Sequence, residues 1–144
     1  MDLNKLESFV CETVEAIPPR FQGVVVACSG GLDSSVLFHL FCKILKAKGK
    51  ISLALCHVHF GLRGEESDGD EMFLKALAES WQVPFFVHRV PPGSQPPSGI
   101  QVWAREVRYR FFETLAQKGW AVAIAHTQDD CVENILMRLF RGVP

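Results

Sequence analysis

A group of small and polar residues follows a short apolar run near the start of the chain. The run at residues 24–27 is Val-Val-Val-Ala, and residues 29–35 read Ser-Gly-Gly-Leu-Asp-Ser-Ser before apolar residues at helical spacing begin. Glycines let a ligand approach the backbone closely, and the N–H groups at the start of a helix attract anions. The segment is therefore predicted to bind phosphate groups through Ser29, Gly30, Gly31, Leu32, Asp33, Ser34 and Ser35.

Asp33 stands out in this segment because a carboxylate repels phosphate groups. Mg²⁺ held between Asp33 and phosphate oxygens removes the repulsion, since Mg²⁺ prefers oxygen ligands. The alternative is an ordinary turn in which Asp33 or a serine caps the helix. Capping needs neither two glycines nor several hydroxyls, and neither GxxxxGK[ST] nor GxGxxG follows this apolar run. A phosphate site with Mg²⁺ is therefore the favoured interpretation.

A second group of reactive side chains follows a later apolar run. His126, Asp129 and Asp130 come directly after residues 120–125, which are predicted to form a strand. One of the two carboxylates is expected to cap the next helix, which leaves the other free for chemistry. Asp130 and Glu133 share one face of that predicted helix because they are three residues apart.

Two arginines form a third group. Arg105 and Arg108 are three residues apart and therefore lie on one face of a predicted helix, with Tyr109 beside them. A pair of guanidinium groups suits a phosphate, or negative charge that develops on a leaving group. The alternative is a basic helix face that only contacts water.

The hydrophobic spacing predicts alternating helices and strands that position these groups. Helices are predicted over residues 3–17, 36–48, 72–81, 100–117 and 129–141, and strands over residues 23–27, 51–58, 84–90 and 120–125. The residues between 60 and 70 are predicted to form a polar loop, and a stripe around Met72 and Phe73 is predicted to be core. This alternation predicts an α/β fold with a doubly wound, mostly parallel sheet and helices on both faces. Ligands bind such a sheet at the carboxyl ends of its strands.

Composition and charge narrow the class of protein. The chain has 144 residues, which predicts a single domain over residues 1–144, and its net charge is −1. It therefore lacks the strongly basic surface of an independent nucleic-acid-binding protein. We expect no membrane association and a cytoplasmic location, because no apolar run suggests a membrane span or a signal peptide. The five cysteines lie far apart without a CxxC pair and are expected to be reduced.

Residues 29–35 resemble the SGGxDS pyrophosphate loop of the N-type ATP pyrophosphatases, which cleave ATP between its α and β phosphates. Three further segments resemble the tRNA(Ile)-lysidine synthetases. HVHFGLRGEESDGDE at 57–71 is similar to HVNHGLRGxESxxD in that family, and QVWAREVRYRFF at 101–112 is similar to its Q-x-x-AR-x-x-RY-x-FF helix. AHTQDDCVENILMRLFRG at 125–142 is similar to its AHhxDDqxETxLmrLxRG segment.

This resemblance implies a fold like that of the adenine nucleotide α-hydrolases and an ATP-dependent ligation. In that reaction free L-lysine is joined to C2 of the wobble cytidine in tRNA(Ile) with a CAU anticodon. An adenylated tRNA is the intermediate, and AMP and pyrophosphate are released. ATP and Mg²⁺ are the implied cofactors. Family members continue into tRNA-binding domains, so the resemblance also suggests that this chain is a fragment.

The resemblance also implies roles for individual residues. Asp130 matches a catalytic carboxylate that binds Mg²⁺ or accepts a proton, and His126 matches a histidine that contacts phosphate or nucleotide. Arg105, Arg108 and Asp33 are implied to be catalytic, and Arg63 and Glu133 are placed near the substrates. The sequence departs from the family pattern at residues 59–60, where His-Phe replaces the usual Asn-His.

Three other functions are compatible with these motifs. A related enzyme that thiolates a tRNA cytidine, or the synthetase subunit of an amidotransferase, would have the same fold, although the missing CxxC argues against thiolation. A third alternative is an ATP-binding module that is inactive without its missing domains. His57 and His59 are spaced like two metal ligands, but no third or fourth ligand lies nearby, so a metal site is not predicted there.

Overall fold

The computed structural model describes residues 3–29, 32–48, 51–61, 65–127 and 135–140. These residues form α1 (Leu3–Ala16), β1 (Gly23–Ala27), α2 (Leu32–Lys48), β2 (Ser52–His59), α3 (Glu65–Ser80), β3 (Phe85–Arg89), α4 (Ile100–Gln117), β4 (Trp120–Thr127) and β5 (Ile135–Phe140). Within these ranges, every helix is too short or too polar to cross a membrane.

The five strands form one sheet with the order β3-β2-β1-β4-β5. The pairs β1–β2, β1–β4 and β2–β3 are parallel, and β5 pairs antiparallel with β4. The chain builds outward from β1 to β2 and β3 and then crosses back to β4 on the other side of β1. The direction of winding therefore reverses between β1 and β4, and this confirms the predicted doubly wound α/β fold.

Helices cover both faces of the sheet because the central strands are apolar on both sides. On one face, Val24 and Val26 of β1 pack with Phe38 and Phe41 of α2 and with Leu74 of α3, and all five are fully buried. On the other face, the buried core includes Val25 of β1, Val122 of β4 and Phe112 and Leu115 of α4. Successive strand residues point to opposite faces, so one short valine run supplies both cores.

The predicted last helix is wrong over its second half. Residues 129–134 lie outside the described residues, and Ile135–Phe140 forms β5 instead of a helix. A short apolar run fits a buried helix or a strand equally well, and β4 offers unpaired backbone groups along its outer edge. The antiparallel register from Thr127↔Ile135 to Val122↔Phe140 satisfies those groups.

Two expectations about α3 are also wrong. The helix begins at Glu65, so half of the predicted polar loop is helical. Met72 and Phe73, predicted as core, are 71% and 55% exposed, whereas Leu74 and Ala78 are fully buried. Each residue turns the helix by about 100°, so Leu74 faces the sheet and the two residues before it face solvent.

Gly23 is the position where the sheet has no room for a side chain. A Cβ atom there would lie 2.0 Å from the carbonyl oxygen of Ser52 on the neighbouring strand. We expect Gly23→Ala to lower the free energy of unfolding by about 2 kcal/mol because the backbone of β1 or β2 must shift. Urea unfolding measures this change.

The matched control is Gly69→Ala in the middle of α3. Apart from its chain neighbours and the backbone of its own helix, no atom lies within 4 Å of the added methyl group, so this variant should gain about 0.5–1 kcal/mol from its better helix propensity. Equal midpoints for Gly23→Ala and the unsubstituted chain would contradict the close approach of β1 and β2.

Candidate active site

The predicted phosphate-binding segment lies where a strand passes into a helix. β1 ends at Ala27, and α2 begins at Leu32, so the backbone N–H groups of residues 32–35 are the first of the helix. Such groups have no carbonyl partner within the helix and favour a bound anion. Ser29 is exposed between the two elements and Ser35 is half-buried, whereas Gly30 and Gly31 lie outside the described residues. This arrangement fits a phosphate group.

The start of this segment is fixed by the neighbouring strand. The N–H group of Cys28 donates to the carbonyl oxygen of Cys56, with 2.9 Å between the atoms. The buried His57 donates from Nδ1 to the carbonyl oxygen of Cys28 at 2.7 Å. Both backbone groups of Cys28 are therefore held by β2, which positions the residues that follow. His57 acts here as a hydrogen-bond donor to the backbone, a role that its spacing from His59 did not indicate.

The two predicted arginines lie in the first half of α4. This half is at the carboxyl edge of the sheet, because α4 begins after the end of β3 and ends before the start of β4. Arg105 Cζ is 5.3 Å from the centre of the Tyr109 ring, and Arg108 Cζ is 5.9 Å from the centre of the Phe60 ring. Both guanidinium groups thus contact an aromatic ring, while both arginines are exposed. They are available to a ligand at this edge.

A cluster of charged side chains that was not predicted from the sequence joins α3 to β2 and β3. His59 Nε2 lies 2.7 Å from Asp68 Oδ1, and Arg89 donates from Nε to Glu71 Oε1 at 2.8 Å and from Nη2 to Oε2. The hydrogen bonds from Arg89 lower the pKa of Glu71, burial opposes them, and the charges of Arg89, His59 and His57 add to the lowering. The i, i+3 spacing of Asp68 and Glu71 is the signal that could have identified this face.

The Glu71–Arg89 pair predicts a pH-dependent contribution to stability. Because the folded-state pKa of Glu71 is lowered, the pair stabilises the fold above the ordinary glutamate pKa and loses this effect as the pH falls through the folded-state value. We expect Glu71→Gln to be slightly less stable than the unsubstituted chain at pH 7, by an amount typical of a partly exposed pair. The difference should disappear in acid, as thermal unfolding at several pH values can show.

Glu106→Gln is the control for this experiment. Glu106 pairs with Arg110 at 3.9 Å between two largely exposed side chains of α4, so its substitution should leave stability unchanged at every pH. A Glu71→Gln difference that persists at low pH would contradict the electrostatic origin of the effect.

Only some of the other predicted site residues lie within the described ranges. The backbone of Asp33 and Ser34 is in the first turn of α2, and His126 is within β4, which extends two residues further than predicted. Arg63, Asp130 and Glu133 lie outside the described residues. The carboxyl ends of β1 and β4 are adjacent in the sheet, at the point where the winding reverses.

Two of the described cysteines, Cys42 and Cys56, are poor nucleophiles. Cys28, Cys42 and Cys56 are buried free thiols, and Cys11 is half-buried. Burial raises the pKa of Cys42 to about 12. Burial also raises the pKa of Cys56, and the nearby Cys28 adds to this effect. The raised pKa keeps Cys42 and Cys56 in the thiol form at neutral pH, and the thiolate is the reactive form.

Several curated proteins are similar to this chain. The tRNA(Ile)-lysidine synthase of Parabacteroides distasonis is 42% identical and that of Clostridium acetobutylicum is 39% identical, each over 83% of this chain. The tRNA(Ile)-lysidine synthase of Chlorobaculum tepidum is 33% identical over 97% of this chain. The chain spans 27% of the length of the first two relatives and 44% of the third.

One solved structure and one domain family are also similar to this chain. The U34-tRNA thiolase NcsA from Methanococcus maripaludis, solved with its [4Fe-4S] cluster, has a TM-score of 0.62 and 18% identity. The match covers 85% of this chain and 44% of the thiolase chain and reflects the shared fold. Residues 4–144 match the PP-loop domain. With its strand–loop–helix segment at the point where the sheet reverses its winding, the chain belongs to the PP-loop family of ATP-binding domains.

Proposed function

We propose that this chain is the ATP-cleaving catalytic domain of an enzyme that joins lysine to tRNA(Ile). The observation that carries the proposal is the segment Ser29–Ser35, which connects β1 to the start of α2 beside the carboxyl end of β4. The tRNA(Ile)-lysidine synthase relatives at 33–42% identity support the choice of reaction. The substrates are ATP, free L-lysine and tRNA(Ile) with a CAU anticodon.

The first step of the proposed reaction transfers AMP to the tRNA. The C2 carbonyl oxygen of the wobble cytidine attacks the α-phosphorus of ATP, the bond to the bridging α–β oxygen breaks, and pyrophosphate leaves with the electron pair. The N–H groups at the start of α2 bind the phosphates of ATP. Arg105 and Arg108 are the groups proposed to stabilise the charge that develops on the departing pyrophosphate.

The second step attaches lysine. The ε-amino group loses a proton and attacks C2, and the bond between C2 and the AMP oxygen breaks to release AMP. A base is required because an ammonium group with a pKa near 10.4 is no nucleophile at neutral pH. Asp130 is the proposed base, and His126 is proposed to contact phosphate or nucleotide. Arg63 and Glu133 are proposed to lie near the substrates.

Mg²⁺ fits the residues that this domain offers. Asp33, in the first turn of α2, and Asp130 are the proposed protein ligands, and both supply the carboxylate oxygens that Mg²⁺ prefers. Within the part of the chain that the structure describes, no three acidic, histidine or cysteine residues cluster into a complete metal site. Mg²⁺ commonly takes one or two carboxylates and completes its shell with substrate phosphates and water. When bound, it neutralises phosphate charge.

The cysteines favour ligation over sulfur transfer. Thiolation requires a reactive or cluster-binding set of thiols, whereas Cys28, Cys42 and Cys56 are buried, and burial raises the pKa of Cys42 and of Cys56. Cys28 and Cys56 also pack into different cores on opposite faces of the sheet. A lysine-dependent reaction needs none of these thiols.

Nucleoside analysis of the tRNA tests this proposal. The chain is incubated with ATP, Mg²⁺, lysine and unmodified tRNA(Ile), and the tRNA is then digested and examined by mass spectrometry. We expect the wobble cytidine to be converted to a nucleoside that carries one lysine. The same tRNA with uridine at that position is the control and should stay unmodified. A thiolated nucleoside, or an unchanged cytidine, would overturn the proposal.

A further inference from the structure

The residue directly after β2 links that strand to the arginines of α4. Phe60 is half-buried, and its ring meets the ring of Trp103 edge to face, with 5.7 Å between centroids and 61° between planes. Arg108 Cζ lies 5.9 Å from the centre of the same Phe60 ring. Phe60 therefore contacts two residues of α4 that are five positions apart.

The alternation of β2 explains why Phe60 reaches α4. Successive residues of a strand point to opposite faces of the sheet. His59 points to the face of α3, where it contacts Asp68, and Phe60 reaches α4 on the opposite face. Arg105 has a separate partner, because its guanidinium group lies over Tyr109 of its own helix. Phe60 thus contacts Arg108, whereas Arg105 contacts Tyr109.

We propose that Phe60 is a positioning residue for Arg108. Trp103 fixes the Phe60 ring, and the ring face attracts the guanidinium group and restricts it to the carboxyl edge of the sheet, near the phosphate-binding segment. An exposed arginine otherwise samples many rotamers, and this freedom must be lost whenever it binds a phosphate. The inference rests on the proposed function, because the ATP of that reaction gives Arg108 a phosphate to bind.

Kinetics of the variants test the inference. Phe60→Leu removes the ring face but keeps an apolar side chain, and Phe60→Tyr keeps the ring. We expect tRNA-dependent AMP formation to have a kcat about 10-fold lower in Phe60→Leu and close to the original in Phe60→Tyr. Combining Phe60→Leu with Arg108→Ala should cause no loss beyond that of Arg108→Ala. Val102→Ala, at a position 65% exposed on α4, is the matched control and should be unchanged.

A measurement that does not depend on catalysis reports the mobility of the Arg108 side chain. NMR relaxation of the arginine side-chain Nε–H groups should show that Arg108 becomes more mobile in Phe60→Leu while Arg105 keeps its original mobility. A loss of activity in Arg108→Ala with none in Phe60→Leu would overturn this inference alone. Full activity in both variants would also contradict the proposed role of Arg108. Additive losses in the double variant, or unchanged Arg108 mobility, would overturn the inference as well.

Discussion

Asp33→Asn is expected to slow ATP cleavage by about 100- to 1,000-fold, the usual effect of removing one group that stabilises charge in a transition state. Asp33 lies in the first turn of α2, where the helix itself favours anions. A carboxylate beside phosphate groups repels them unless a cation lies between the two. Asparagine keeps the size of the side chain and removes the charge, so half-maximal activity should also require more Mg²⁺. Steady-state rates at increasing Mg²⁺ concentrations measure both effects.

The control for Asp33→Asn removes an exposed carboxylate from the other end of the sheet. Glu79 lies near the end of α3, close to the start of β3, and Glu79→Gln should have the original rate and the original Mg²⁺ requirement. If Asp33→Asn instead behaves like Glu79→Gln, the proposed role of Asp33 is wrong.

Arg108→Ala is expected to lower kcat by about 100-fold. Arg108 is exposed at the carboxyl edge, and a guanidinium group can donate two parallel hydrogen bonds to phosphate oxygens. Arg108→Lys keeps the charge but loses the paired donors, so it should recover only part of the activity. Rates of AMP formation with saturating ATP and tRNA give the comparison.

Arg110→Ala is the matched control on the same helix. Arg110 is two residues away and therefore points to the opposite side of α4, where its side chain is 80% exposed and pairs with Glu106. Its removal lowers the net positive charge by the same amount, so it should leave kcat unchanged. Equal losses in Arg108→Ala and Arg110→Ala would indicate a general charge effect and contradict a specific role for Arg108.

The elements that position the site could be predicted because their signals are local. Residues 23–27 are a valine run bounded by a glycine and by polar residues, and the structure has β1 over those residues. The i, i+3, i+4 spacing over 100–117 likewise gives α4 with the predicted bounds. The position of Ser29–Ser35 at the junction of β1 and α2 then follows from the order of the elements.

The features that could not be predicted depend on contacts between distant parts of the chain. Ile135–Phe140 is a strand because the outer edge of β4 is next to it, and no local pattern in six apolar-rich residues shows that neighbour. The contact of Phe60 with Trp103 and Arg108 depends on how α4 crosses the sheet, and these residues are more than 40 positions apart in the sequence. The hydrogen bond from His57 to Cys28 depends on the register of β1 and β2.

ATP labelled at its α-phosphate shows which phosphate bond of ATP the chain cleaves. The chain is incubated with this ATP, Mg²⁺, lysine and unmodified tRNA(Ile), and the labelled products are separated. We expect labelled AMP whose formation depends on the tRNA, because cleavage between the α and β phosphates is coupled to attack by the cytidine. Labelled ADP would contradict this expectation, since cleavage between the β and γ phosphates is a different reaction.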